Sequence, residues 1–316
     1  MNNIFKYNVS NIDNNYSFFI SGVSTVSNPV DNTLIFVNKN KAEYLEKLSI
    51  VKEAVIILLY EIEKEKVSKI SNSNLIVFSK NPRLEYARLL HKILKEVGYY
   101  NTKTYYLKDG YYYGENLKLG ENIIIEPFVR IGNYVEIGNN TIIKSGTIIN
   151  DNVKIGNNCY IRENSVIGGE GFGIETDIDG KTYRIPHVGG VEIGNNVEVG
   201  ALTTVCSGTI EKTIIKDYVK IDDHVHVAHN VVLEEGVLIV AGTVIGGSTK
   251  IGKNSRTAPN TAVKNGLKIG SNVVMGMSAR VNENLPDNTV VTNEKADTLE
   301  NIKKYSKYKK DLLEKI

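Results

Sequence analysis

Among 316 residues the sequence has two cysteines, five histidines, no tryptophan and a net charge of only +2. Two cysteines, Cys159 and Cys206, are too few for a disulfide scaffold and fit a reducing, cytoplasmic setting. So small a net charge argues against a dedicated nucleic-acid binder, which carries a strong basic patch. The one basic cluster (Lys303, Lys304, Lys307, Lys309, Lys310) is interrupted by apolar residues and reads as a solvated helix face. No apolar run approaches the length of a membrane span. The first fifteen residues lack the basic start and apolar stretch of a secretory signal.

What the sequence does have is a period of six. Leu119, Ile125, Ile131, Ile137, Ile143, Ile149, Ile155, Ile161 and Ile167 stand six apart without a break. Ile193, Val199 and Val205 form a second frame, and a third runs from Ile215 through Val227, Ile245 and Thr257 to Val281. Neither a helix nor a lone strand sustains such a period; a fixed short repeat means a solenoid. Glycine often follows the aliphatic residue (Gly120, Gly132, Gly138, Gly156), and Asn-Asn or Gly-Asn pairs recur. The aliphatic residue should fill the interior, and the Gly or Asn should take a tight corner where φ can be positive. Three sextets make one triangular coil of eighteen residues. The frames hold nine, three and twelve positions, or eight coils, a prism of about 38 Å at ~4.8 Å per coil.

The fold expected is therefore mainly β: a parallel β-helix of hexapeptide repeats with a small N-terminal α/β domain and a C-terminal helix. Residues 1–100 lack the period. Apolar runs at 33–37, 54–60 and 74–79 read as strands, and 41–48 and 82–97 as helices, the latter with Asn81 as N-cap ahead of Pro82. Residues 101–115 read as a Tyr-rich linker, 116–288 as the β-helix, and 289–316 as a helical tail with Leu299, Ile302, Leu312 and Ile316 on one face. The first break in the period, an inserted loop over 168–190, carries Asp179-Gly180 as a hairpin turn. The second lies between Val205 and Ile215.

Three of the five histidines fall in one sextet: His224, His226 and His229. His229 lies two residues past interior Val227 and should point off the prism, where a neutral imidazole can take a proton from an amine or hydroxyl. Gly247 is eighteen residues on, the same place one coil later. Its N–H, one layer from a base, suits the oxyanion of an acyl-transfer intermediate. Asp222 is near enough in sequence to orient an imidazole. His224 and His226 read, on their own, as exposed polar residues of a sheet.

These residues carry a resemblance. HVAHNV (226–231) resembles the catalytic string of the UDP-3-O-acylglucosamine N-acyltransferase family, left-handed β-helix enzymes of lipid A synthesis. GGEGFG (168–173), with RIPHVGG at 184–190, resembles that family's insertion, and residues 22–45 and 81–90 its uridine-binding N-terminal domain. The resemblance implies a general base at His229, an acidic partner at Asp222 and an oxyanion glycine at Gly247. It implies substrate contacts at Phe36, Asn38, Phe172, His226 and Asn230. It further implies a homotrimer that binds no cofactor of its own, with a nucleotide-linked amino sugar as acceptor. The acyl donor would be acyl carrier protein or coenzyme A. Asn38-Lys39-Asn40-Lys41 stands where the family reads N-P-K-Y, and Cys206-Ser207-Gly208 where it reads Asp-Arg-Gly. Asn265-Gly266 is followed by Leu267 rather than a second histidine. Residues 284–297 resemble coenzyme A-dependent sugar acetyltransferases, so a short-chain acyl-CoA and a dTDP- or UDP-linked amino-deoxysugar form an alternative pair. A zinc enzyme of the γ-carbonic anhydrase kind, using His224 and His229, and a non-catalytic trimeric scaffold are the readings from other classes. No metal is assigned.

Overall fold

The computed structural model describes residues 4–38, 42–60, 64–71, 73–293, 298, 300–301 and 303–307. Three walls of short parallel strands form a prism. The first wall runs from Tyr111–Tyr113 through Val166–Gly169, Thr204–Cys206, His226–Val227 and Val244–Ile245 to Arg280–Val281. The second runs from Lys118–Leu119 to Lys268–Ile269, and the third from Ile124–Ile125 to Val290–Val291. The architecture is the left-handed parallel β-helix that the six-residue period and the resemblance together predict.

Each coil hydrogen-bonds to the next, as when Ile131 aligns with Ile149 and Ile149 with Ile167, with a register shift between Ile167 and Gly169 where the inserted loop departs. The aliphatic positions face inward and form one continuous core, with Ile131, Ile161, Val205, Val227 and Ile245 fully buried. Burying each such side chain contributes about 1.5–3 kcal/mol. Where the frame puts Thr257 inside, its hydroxyl meets that of Thr243 at 3.0 Å and accepts from the Val240 N–H at 2.9 Å. A buried polar group is thereby satisfied.

The corners divide their labour differently from the sequence expectation. Positive φ belongs to the residue two beyond the glycine: Asn122 (55°), Asn140 (54°) and Asn158 (55°). Asparagine tolerates this region and tiles the corner, Asn122 donating to Asn140 at 3.1 Å and Asn140 to Asn158 at 3.2 Å. The glycines serve close approach instead: a Cβ on Gly120 would lie 2.2 Å from Asn139 Oδ1.

The β-helix also extends past its expected bounds at both ends. Residues 101–115 are not simply a linker, because Tyr111–Tyr113 pairs in parallel with Arg130–Ile131. Tyr113 takes the place of an aliphatic residue and hides the rung. At the other end Val290–Val291 pairs with Val274–Met275, and Leu285 bridges to Ile269. Both spacings are sixteen, two short of a full coil. The third wall therefore has nine strands rather than eight. Beyond it, residues 300–301 and 303–307 are helical and exposed. The apolar positions assigned to that helix, Leu299, Ile302, Leu312 and Ile316, lie outside the described residues.

The N-terminal region holds a parallel sheet in the order Gly22–Val23, Thr33–Phe36, Val55–Leu59, Leu75–Ser79. Helices α1 (Ala42–Leu48) and α2 (Lys64–Ser71) cover one face, and α3 (Pro82–Glu96) the other. Both faces are buried, so the central strands read as unbroken apolar runs. Asn81 caps α3 by accepting from the Leu84 N–H at 3.1 Å. The α3 side is not closed by this domain alone. Ile185 and Val188 of the inserted loop join Leu34, Ile57, Tyr86 and Leu90 in one core. The loop is a hairpin, Ile174–Thr176 against Thr182–Arg184, turning at Asp179-Gly180 as expected. Among the described residues no helix is long and apolar enough to cross a membrane.

Removing interior volume should be felt without altering the surface. Ile221→Ala, in the middle of the prism core, should destabilise the protein by about 2–5 kcal/mol, read as a lower denaturant midpoint.

Candidate active site

Both interruptions of the repeat leave from the corner between the first and second walls. The inserted loop departs after Val166–Gly169, and the excursion over 207–212 after Thr204–Cys206. His229 stands at the same corner one coil on, after His226–Val227, and Gly247 one coil beyond that, after Val244–Ile245. The register places them together: a Cβ on Gly247 would lie 2.7 Å from both Cε1 and Nε2 of His229. Glycine thus keeps open the space beside the ring's outer nitrogen.

The hydrogen bonds around Asn230 decide which nitrogen of His229 carries a proton. Asn230 Nδ2 donates to the Glu211 carbonyl at 2.7 Å, which fixes the amide so that Oδ1 is the acceptor. Oδ1 accepts from the Thr209 N–H at 3.1 Å and the Thr209 hydroxyl at 2.6 Å. His229 Nδ1 is 3.0 Å from the same oxygen. Only an Nδ1–H can make that contact, so Nε2 keeps its lone pair and faces Gly247. Asn230, expected as a substrate contact, instead fastens the 207–212 excursion and sets the tautomer of the base.

The Gly247 N–H is free to act as a donor. At the same corner five coils earlier, the Asn133 N–H donates to Asp151 Oδ1 at 2.9 Å, and at the next corner the Asn139 N–H donates to Asn157 Oδ1 at 2.7 Å. Among the described residues the Gly247 N–H has no such acceptor. A base and an unoccupied donor one coil apart can serve attack on an acyl carbonyl.

Other expected residues fall elsewhere. Asp222 does not reach His229. It sits at the opposite corner of the strand, where its carboxylate accepts from the Asp223 and Ala241 N–H groups at 2.8 and 3.1 Å. Seven residues of this fold cross a whole wall, so proximity in sequence carried no contact. His224 occupies that same opposite corner with φ 58°. Among the described residues no three His, Cys, Asp or Glu side chains gather as a metal site. His226 lies on the outer face between Thr204 and Val244, its pKa lowered by partial desolvation and by neighbouring His229. Phe172 is 83% exposed on the glycine-rich stretch of the inserted loop. Phe36 lies at the carboxyl end of its strand, where ligands of parallel sheets bind, but its ring packs on Tyr86 at 4.8 Å. Phe36 is half-buried and Asn38 nearby is exposed; residues 39–41 lie outside the described residues.

The sequence reading missed His187. The inserted loop returns to its own corner and sets the His187 ring 5.1 Å from that of His229, at 67°. His187 is 5% exposed, and neither ring nitrogen makes a hydrogen bond of ordinary geometry, the Ile185 backbone being the polar group that favours its charged form. Burial and the nearby His229 push its pKa down to about 4. The frame shows only that loop and base leave the prism at one corner; the packing of the hairpin on α3 is what brings His187 to His229. Of the two free cysteines, Cys206 has its thiol pushed up to about 11 by burial, which disfavours a thiolate nucleophile near neutral pH.

Known proteins share the repeat and the fold. Residues 134–169 and 212–247 match the bacterial transferase hexapeptide (six repeats) model. The chain carries that repeat. It is 48% identical over 64 residues to UDP-3-O-acylglucosamine N-acyltransferase 2 of Legionella pneumophila (strain Lens), covering 20% of this chain and 18% of that protein. It is likewise 48% identical over 66 residues to UDP-3-O-acylglucosamine N-acyltransferase of Chlorobium chlorochromatii (strain CaD3), covering 21% and 18%. The match thus spans less than a fifth of the length of these curated relatives. Among solved structures, UDP-N-acetylglucosamine acyltransferase from Bacteroides fragilis 9343 superposes with a TM-score of 0.51 at 26% identity, over 57% of this chain and 69% of that one. The enzyme of the same name from Campylobacter jejuni, at 22% identity and a TM-score of 0.51 over 56% and 68%, shares the fold.

The buried neutral His187 gives stability a pH dependence. Its folded-state pKa is depressed from 6.5 to about 4, so the unfolded chain binds the extra proton first. The contribution is present above pH ~6.5 and is lost as pH falls through about 4. Melting temperature followed from pH 7 to 4 should therefore drop, and His187→Gln should flatten that drop.

Proposed function

We propose that the protein transfers an acyl group from a phosphopantetheine thioester to the amine of a nucleotide-linked amino sugar. The observation that carries this reading is the pairing of His229, its Nδ1–H tied to Asn230, with the open Gly247 N–H one coil on. The amine nitrogen attacks the thioester carbonyl while His229 Nε2 takes its proton. The Gly247 N–H donates to the oxyanion of the tetrahedral intermediate. The intermediate collapses with cleavage of the carbon–sulfur bond, and the departing thiolate takes the proton back from the imidazolium. Amide and free thiol are the products, and His229 is regenerated.

The names of the similar proteins, all acyltransferases of nucleotide sugars, support this acceptor class. Phe36 and Asn38 would hold the nucleotide, and Phe172 and His226 line the approach to His229. The donor is an acyl carrier protein or a coenzyme A thioester, used as a co-substrate. The working unit is a homotrimer in the cytoplasm, its grooves between prisms guiding the acyl chain, and the product enters lipid A or another surface glycan. The departure at residues 38–41 and the resemblance of residues 284–297 favour a second pair of substrates: a short-chain acyl-CoA and a dTDP- or UDP-linked amino-deoxysugar.

Purified protein assayed with both donor classes and both acceptor classes, with products resolved by mass spectrometry, separates these readings. Turnover with one pair names the substrates. His229→Ala should remain folded and lose about 10²–10⁴ in rate; a variant as active as the wild type would remove His229 as the base.

A further inference from the structure

His187 has no part in the mechanism above, yet it is the most costly side chain around the site. A buried imidazole whose nitrogens make no hydrogen bond of ordinary geometry forfeits its hydration, and a leucine of similar volume would fill the space without that loss. The ring is also tightly held. A Cβ on Gly171 would lie 2.8 Å from His187 Nε2 and 3.0 Å from His229 Cβ, and one on Gly173 would lie 2.9 Å from His187 Cε1. The glycine stretch of the inserted loop thus packs His187 beside His229.

The loop is in turn held by the N-terminal domain. Arg83 and Arg88 of α3 pair with Glu175 and Asp177 of the hairpin at 2.8 and 2.9 Å. The Arg88 guanidinium lies 4.4 Å over the Tyr183 ring. Ile185 and Val188, flanking His187, are buried with Tyr86 and Leu90 of α3, and Tyr86 is the ring against which Phe36 packs. A continuous set of contacts therefore joins the proposed nucleotide face to His229. The charged groups around His187 are Arg184 on the loop, Arg83 on α3, and Lys103, Asp151 and Glu170 across an adjoining cleft.

We propose that His187 is a positioning residue for His229: anchored by α3, it fixes the ring of the base and stabilises the positive charge that ring acquires when it takes the proton. An uncharged imidazole beside a forming imidazolium does this without competing for the proton, and the interaction is absent while His229 is neutral. The ring-on-ring contact strengthens only while His229 carries charge, so it favours the charged form during turnover. The role is assigned within the acyl-transfer reading.

The test uses full-length His187→Leu, His187→Gln and Arg88→Ala. His187→Leu should melt at or above the wild-type temperature, yet lose about ten- to a hundredfold in kcat with both KM values nearly unchanged. His187→Gln, which restores a polar planar group, should recover part of kcat, and Arg88→Ala, which loosens the anchor, should lower kcat by a smaller factor. A His187→Leu enzyme with wild-type kcat overturns the proposal, as does one whose melting temperature and KM values fail together, the mark of a filler residue. An arm that needs no turnover keeps this separate from the substrate assignment. Carbethoxylation of His229 by diethyl pyrocarbonate, followed by peptide mass spectrometry, should speed up severalfold in His187→Leu. If the wild type transfers no acyl group but this rate still rises, the reaction assignment fails and the contact stands. If the rate is unchanged, the proposed positioning is wrong.

Discussion

Backbone amides of one coil donate to the carbonyls of the next throughout the prism, as Ala228 does to Ile245 and Gly246 to Val263. Because these ladders hold the aliphatic frame in register, a residue's corner and layer follow from its place in the frame. The chemistry depends on this constraint. His229 and Gly247 are neighbours because the coil length equals their separation, and a deletion of one residue between them would break the pair. Both interruptions of the repeat leave from the corner between the first and second walls; the inserted loop ends against His229 and the excursion against Asn230. The excursion over 207–212 supplies the groups that orient Asn230 and, through it, the tautomer of His229. The inserted loop supplies the ring beside it.

Much of this was legible in the sequence, and for a physical reason. Interior positions of a stacked coil tolerate little besides aliphatic side chains, so Ile131 through Ile167 announce the fold directly. The same ruler paired His229 with Gly247. It failed where another residue type met the packing need. Tyr113 supplies a rung in place of an aliphatic residue, and the final coil is shortened by two residues between Val281 and Leu285, so both end rungs fell outside the expected bounds. The ruler was also set aside for Asp222. Nearness along the chain was taken for nearness in space, although seven residues carry the chain from one corner to the next. His187 lay beyond reach because a hairpin insertion has no period, and only packing on α3 brings it home.

The two domains expected from the sequence share more than a linker. The core on the α3 face is completed by Ile185 and Val188 from the inserted loop, and Thr25 of the N-terminal sheet donates its hydroxyl to Glu211 of the second excursion at 2.7 Å. The N-terminal domain thereby touches both loops that shape the surroundings of His229. A nucleotide bound at Phe36 would rest on Tyr86, itself packed among the residues that seat the hairpin. Acceptor binding and placement of the base are joined through one apolar core, at the cost of burying the polar ring of His187.

The central claim is that the reacting groups meet between His229 Nε2 and the Gly247 N–H. The most direct measurement is a crystal structure of the protein soaked with a non-hydrolysable thioester analogue and the acceptor nucleotide sugar. The account predicts the analogue's carbonyl oxygen about 3 Å from the Gly247 nitrogen, with the acceptor amine within hydrogen-bond reach of His229 Nε2. A donor carbonyl bound elsewhere on the prism, with His229 turned away from the amine, would contradict it.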